Sequence, residues 1–168
     1  MPEQIVINSL EFARSGEELH GKMPVANFGR LADYLHSESG EIEYSLSGSR
    51  DKEGKPFLHC DIRGELQLIC QRCLGALAFP LDISSDLELV ADEGDLAGGA
   101  EEEDSHDAIV AEPELDVAAL IEDELLLALP ISPRHAEGEC ALRQPAEAGS
   151  ARQNPFQALA GLKQGKPK

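Results

Sequence analysis

The sequence has no tryptophan, and aromatic residues make up only 4% of its 168 positions. A surface that holds nucleic acid by stacking bases on rings would have little to draw on here. Cations are scarce as well: 14 Lys and Arg stand against 32 Asp and Glu, for a formal charge of −18. Such a chain resists a phosphate backbone or an anionic membrane unless its few cations are gathered together, and it attracts basic proteins. Residues 1–18 lack a basic region followed by an apolar run, and no stretch approaches the roughly 18 apolar residues of a membrane span. The expectation is a cytoplasmic chain, whose four cysteines are free, catalytic or metal-bound rather than a disulfide frame. Internal repeats, a Gly-rich phosphate loop, a nucleophile elbow and a Ser/His/Asp arrangement are all missing. His20, His36, His59 and His106 follow no metal-ligand spacing. These absences count against an enzyme and against a small-molecule substrate.

What is present is 42% hydrophobic residues, enough for one domain with a modest core. Residues 57–70 alternate, with Leu58, Cys60, Ile62, Leu66, Leu68 and Cys70 on one side and His59, Asp61, Arg63, Glu65 and Gln67 on the other. Residues 77–89 repeat the pattern, from Leu77 and Phe79 to Leu87 and Leu89. Period two over this length marks half-buried strands, and the simplest arrangement is an antiparallel hairpin with Cys70 and Cys73 at its tip. Ile42, Tyr44 and Leu46 place a third strand beside it, and residues 5–7 are a candidate fourth. Val25, Phe28, Leu31, Ala32 and Leu35 recur at helical spacing and predict a short helix over the sheet. The fold class is therefore α+β: an antiparallel meander with a few helices.

From Asp86 to Glu124 the chain holds 16 acidic residues and no Lys or Arg. The Gly- and Glu-rich part, about 92–107, reads as a disordered, solvated loop, with two roles open: solubility, or docking of a basic partner. Next comes a helix with Asp116 as N-cap and Pro130 as its stop. At 100° per residue, Val117, Leu120, Ile121, Leu125 and Ala128 form one stripe; Glu124 falls inside it, while Glu122 and Asp123 lie outside as solvated carboxylates. A carboxylate on a core stripe needs a partner, and Arg63, Arg72 and Arg134 are the candidates. Residues 1–142 thus form the domain. Residues 143–168 are a flexible linker and a C-terminal helix capped by Asn154, with Pro155 in its first turn and Phe156, Leu159 and Leu162 on one face. That helix either packs as a minor element or serves as a tethered docking peptide for a partner or RNA.

A redox Cys-x-x-Cys opens a helix after a strand, where the helix N-terminus lowers the thiol pKa. Here the pair lies between two strands, which suits a zinc knuckle in which Gly75 lets the backbone turn toward the metal. Structural zinc needs four ligands. Cys60 is excluded as one of them, since ten residues of strand span roughly 33 Å; it reads as a small core residue. His135 and Cys140 complete a candidate set of Cys70, Cys73, His135 and Cys140 around a structural Zn²⁺. Unligated thiols and redox or reversible metal sensing remain the alternatives.

Taken in order, "CQRCLGAL", the acidic loop, "IEDELLLALPISPRHAEGEC" and "NPFQALAGLK" resemble the YceD-like family of large ribosomal RNA subunit accumulation proteins, over most of residues 40–168. The resemblance implies a bacterial or plastid factor needed for accumulation of large-subunit ribosomal RNA. Its recurring residues fall on Cys70, Cys73, Glu122, Asp123, Glu124, Pro130, His135, Cys140, Asn154, Pro155 and Phe156, and not on Cys60. The expected function is a non-enzymatic factor of large-subunit biogenesis that binds a ribosomal protein or pre-ribosomal particle through its acidic surface. Glu122, Asp123, Glu124, Arg72, Arg134 and the Asn154-Pro155-Phe156 turn are its candidate partner-binding residues. Direct RNA binding by Arg63, Arg72, Arg134, Arg143 and the C-terminal lysines is the competing expectation, and a thiol redox or metal-sensing role is the third.

Overall fold

The computed structural model describes residues 4–96 and 107–140. The predicted hairpin forms its spine: β5 (Pro56–Ile69) pairs antiparallel with β6 (Ala76–Val90) through 13 consecutive register positions, from Phe57↔Glu88 to Ile69↔Ala76. Alternation dictates this, because any one-residue slip would turn Leu58, Ile62, Leu66 and Leu68 out to solvent. β4 (Glu41–Arg50) adds to β5, and β2 (Glu18–Pro24) adds to β4, both antiparallel. β7 (Asp107–Val110) lies parallel to β6 on the far edge, and β3 (Leu35–Ser37) pairs with β5 off the main path. The α+β expectation holds, but the meander grows from three strands to a six-stranded sheet.

One sheet face is the core. Leu46, Leu58, Cys60, Ile62, Leu66, Leu68, Leu81 and Leu87 are buried there. The opposite face carries Glu43, Arg63, Asp82 and Asp86 in solvent. On the core side α1 (Ser9–Ser15) starts at Asn8, whose side chain accepts from Glu11 N, and stops at Gly16 in the left-handed region. It lies so close to β4 that a Cβ on Gly48 would meet Ala13 Cα at 2.7 Å. Ser9 joins this helix to the connection that follows β7 by exchanging hydrogen bonds with the backbone of Glu112.

Two expectations about these elements need correction. The segment of Val25, Phe28, Leu31 and Leu35 is two 3₁₀ helices, Val25–Asn27 and Gly29–Tyr34, not one α-helix. Pro24 before the first and Gly29 at the start of the second break the α ladder, while i, i+3 spacing still buries Val25, Phe28 and Leu31. Residues 5–7 do not join the main sheet: β1 (Val6–Ile7) pairs antiparallel with β8 (Leu115–Asp116) in a separate two-stranded sheet. Only the start of the acidic loop is described, where α2 (Glu93–Leu96) forms; the rest of that loop, the linker and the C-terminal helix lie outside the described residues.

α3 (Val117–Ala128) follows β8 as predicted, with Asp116 Oδ1 accepting from Ala118 N at 2.9 Å and Ala119 N at 3.4 Å. Its stripe of Val117, Leu120, Ile121 and Leu125 is buried. Glu122 was expected in solvent but is only 8% exposed. The second 3₁₀ helix wraps the flank of α3 there: Arg30 N donates to Glu122 Oε1 and Arg30 Nε to Glu122 Oε2, both at 2.7 Å. The same guanidinium reaches Asp123 Oδ1 at 2.6 Å and the Ala119 carbonyl at 3.3 Å. No described helix is long and apolar enough to cross a membrane.

Candidate metal centre

β5 and β6 are joined by a tight knuckle. Cys70 N donates to the Gly75 carbonyl at 2.9 Å and Leu74 N to the Cys70 carbonyl at 2.8 Å. The turn was expected to rest on Gly75, but Leu74 takes the left-handed conformation, with φ of 61°. A Cβ on Gly75 would make only ordinary contact with Cys73 Sγ, at 3.5 Å. A leucine held in this region costs about 1–2 kcal/mol, a strain the surrounding contacts must hold.

The chain leaving α3 returns to this knuckle. Gln71 N donates to the Pro133 carbonyl at 2.9 Å, and Ser132 Oγ donates to Gln71 Oε1 at 3.0 Å. Arg72 reaches the His135 carbonyl at 3.4 Å, and Arg134 Nε donates to Ser132 Oγ at 2.9 Å. These bonds bring His135 and Cys140 over Cys70 and Cys73, and the four ligand atoms lie within 4.8 Å of one another.

The spacing has a chemical meaning. A tetrahedral zinc at about 2.3 Å from sulfur and about 2.0 Å from nitrogen sets two sulfurs about 3.8 Å apart and sulfur and nitrogen about 3.5 Å apart. Here Cys70 Sγ to Cys140 Sγ is 3.8 Å, Cys73 Sγ to His135 Nδ1 is 3.4 Å, and Cys140 Sγ to His135 Nδ1 is 3.6 Å. His135 Nε2 donates to the Ala76 carbonyl at 2.8 Å. A carbonyl can only accept, so the proton sits on Nε2 and the Nδ1 lone pair faces the two sulfurs.

The knuckle also prepares a thiolate. The backbone N–H of Cys73 donates to Cys70 Sγ, helped by those of His135 and Arg72, and these bonds outweigh burial to bring the Cys70 thiol down to about 5. Cys140 shifts upward, through burial and then through its sulfur neighbours Cys70 and Cys73. Thiolates this close together repel one another, and a divalent cation between them would remove that repulsion. Cys60 stands apart, fully buried, its thiol pushed up to about 12 by burial and then by Glu124 and Asp61. It is the inert core residue that the strand-length argument predicts.

A family model described as "Large ribosomal RNA subunit accumulation protein YceD" matches residues 58–163. The chain belongs to the YceD family. The matched region runs from β5 through the knuckle and α3 to the C-terminal segment. No solved structure matches the chain.

Of the other candidate residues in this YceD-family chain, Arg72 and Arg134 meet at the knuckle, both exposed. Arg63 is remote from them, bonded to Asp82 at 3.2 Å on the outer sheet face. Glu122 and Asp123 are engaged by Arg30, a residue the sequence did not single out. None of Arg63, Arg72 and Arg134 pairs with Glu124, which is 8% exposed and has no hydrogen-bond or ion-pair partner among the described residues. Arg143, Asn154, Pro155 and Phe156 lie outside the described residues. The signal that would have found Arg30 is tertiary: only in the fold does it reach the flank of α3.

Proposed function

We propose that this YceD-family protein is a non-enzymatic factor of large ribosomal subunit biogenesis, acting in the cytoplasm by binding a ribosomal protein or pre-ribosomal particle. Zinc held by Cys70, Cys73, His135 and Cys140 fixes the loop after α3 to the hairpin tip. The observation that carries this reading is the closed donor set: four protein ligands fill a tetrahedron, whereas a catalytic zinc keeps one position for water or substrate. The family's name, concerned with accumulation of large-subunit ribosomal RNA, supports the biological setting. The acidic surface then supplies long-range attraction to basic ribosomal proteins, which accelerates encounter and weakens with salt.

The test is recovery of ribosomal proteins and precursor particles on the tagged chain, with salt raised in steps. Recovery that falls with salt is expected. Recovery that ignores salt would remove the acidic surface from the explanation.

One observation favours direct RNA contact as a second reading: two exposed cations sit at the knuckle, Arg72 against the His135 carbonyl and Arg134 against Ser132. Ultraviolet cross-linking in cells followed by denaturing purification separates the two. Discrete large-subunit RNA sites that disappear in the Arg72→Ala, Arg134→Ala variant would favour RNA. Protein cross-links without RNA would favour the basic protein partner.

A further inference from the structure

Glu122 and Glu124 are equally buried on α3, each 8% exposed, but only Glu122 is answered, by Arg30. Glu124 has no hydrogen-bond or ion-pair partner among the described residues. Its own helix offers none, because the residues three and four positions away are Leu120, Ile121, Leu127 and Ala128, none with a side-chain donor. Nor do the arginines that could serve it reach it: Arg30 is engaged with Glu122 and Asp123, Arg63 with Asp82 and Arg72 with the His135 carbonyl.

A second unsatisfied oxygen lies in the same part of the core. Ser85 Oγ is enclosed without a hydrogen-bond partner, the only side-chain oxygen or nitrogen of which this is true among the described residues. Ser85 stands opposite Cys60 in the β5–β6 register, and Glu124 is close enough to the Cys60 thiol to follow burial among the causes that push it up to about 12. A carboxylate on α3 and a hydroxyl on β6 therefore border one thiol that stays neutral. Both oxygens of Glu124 lack partners, yet neither is enclosed as Ser85 Oγ is, so the carboxylate keeps a narrow opening to solvent. A carboxylate this deep is costly unless something completes it.

The chemistry of the opening selects its occupant. A hard metal ion needs several oxygen ligands, and one carboxylate with one hydroxyl does not supply them. Water would satisfy the hydroxyl and leave the charge uncompensated. A lysine or arginine head brings one positive charge with several N–H donors, enough for Glu124 and Ser85 Oγ together. Its slender stem suits a narrow opening, and Leu127, three positions along α3 and 77% exposed, offers an apolar shelf for that stem. Residues 1–140 hold 31 acids against nine cations, a field that draws such a partner in. We infer that Glu124, with Ser85 Oγ as second acceptor, is a socket for a lysine or arginine side chain of a basic protein partner. The socket deepens the assembly-factor reading and rests on it: the acidic surface gathers the partner, and Glu124 fixes its orientation.

The experiment immobilises the full-length, zinc-loaded chain and challenges it with the proteins extracted from purified large ribosomal subunits. Glu124→Gln and Glu124→Met should each recover at least about tenfold less than the parent, and Ser85→Ala about threefold less. Glu65→Gln, which removes the same charge from the exposed outer sheet face, should recover as much as the parent. In the absence of partner the Glu124→Met chain should melt at a higher temperature than the parent, because an apolar side chain replaces an uncompensated charge on the buried stripe. Recovery that survives both Glu124 substitutions would overturn the inference and leave the assembly-factor reading standing, as would equal losses in Glu124→Gln and Glu65→Gln. A lower melting temperature for Glu124→Met would also overturn it, by giving the carboxylate a partner within its own chain. A parent chain that recovers no ribosomal protein would overturn the reading and the socket together.

Discussion

Replacing Cys73 by serine tests the metal centre most directly. The hydroxyl does not ionise near neutral pH, so the site falls from three sulfurs and a nitrogen to two sulfurs and a nitrogen. Cys140 Sγ remains 3.8 Å from Cys70 Sγ and 3.6 Å from His135 Nδ1, so three donors still converge and weak binding persists. The body survives, because β5 and β6 hold one another through 13 register positions and Leu66 and Leu68 are buried beneath the tip. With free zinc about 1,000-fold above the parent's dissociation constant, binding adds about 4.1 kcal/mol to folding. At about 2–4 °C per kcal/mol for a chain of this size, a strong chelator should lower the parent's Tm by roughly 8–16 °C. The Cys73→Ser protein should start near that lower value and respond little to the chelator. Elemental analysis after dialysis, the visible spectrum of the cobalt-substituted protein and calorimetry with and without chelator read the three parts of the claim. Cys60→Ser is the control and should retain its metal. A parent chain that emerges from dialysis against zinc without the ion would refute the reasoning, as would a Cys73→Ser variant with an unchanged cobalt spectrum.

Arg30→Ala strips Glu122 of the guanidinium bond, leaving only the one from the Arg30 backbone N–H, and strips Asp123 of its partner; the melting temperature should fall by several degrees, while Lys22→Ala at the exposed pair with Glu43 should leave it unmoved, and equal effects would show that Arg30 is only a surface charge. Gly48→Ala places a methyl against the backbone of α1, where Ala13 Cα stands 2.7 Å away, and should cost roughly 3 kcal/mol in denaturant unfolding; a neutral result would mean that α1 can lift off the sheet freely. His59 is held by Asp86 at 2.7 Å and by Asp61 at 3.2 Å, and the Asp86 bond leads the causes that raise its pKa. Because the folded value lies above the unfolded one, this stabilisation is full below about pH 6.5 and disappears as pH rises through the folded pKa. Asp86→Asn should therefore cost about 0.5 kcal/mol at acid pH, screened because the pair is half exposed, and nothing at alkaline pH; an equal loss at both would exclude charge pairing.

The hairpin was legible because period two over 14 and 15 residues admits one register, and α3 because Asp116 and Pro130 mark both its ends. The strand length that carried Cys60 away from the knuckle was legible for the same reason. β2 was not legible, since Leu19, Gly21 and Met23 alternate with a glycine at the centre and leave a weak apolar signal. β7 was not, because it reaches β6 across the acidic loop and its parallel pairing has no local turn to announce it. Helical geometry placed Glu122 at 140° from the start of the stripe and Glu124 within it, yet both are buried, and only Glu122 has a partner. A helical wheel knows one helix; the second 3₁₀ helix, lying across its flank, is what buries Glu122.

By itself, then, the sequence determined the candidate ligand types, their order along the chain and the two strands that present the first pair, because local periodicity and donor chemistry need no neighbour. The tertiary structure decided that His135 and Cys140 return to the knuckle, that Nδ1 rather than Nε2 faces the sulfurs, and that Arg30 holds α3. Each of these depends on groups about 60 or more residues apart, and such contacts are selected by packing of the whole core rather than by any stretch of chain that a periodicity can describe.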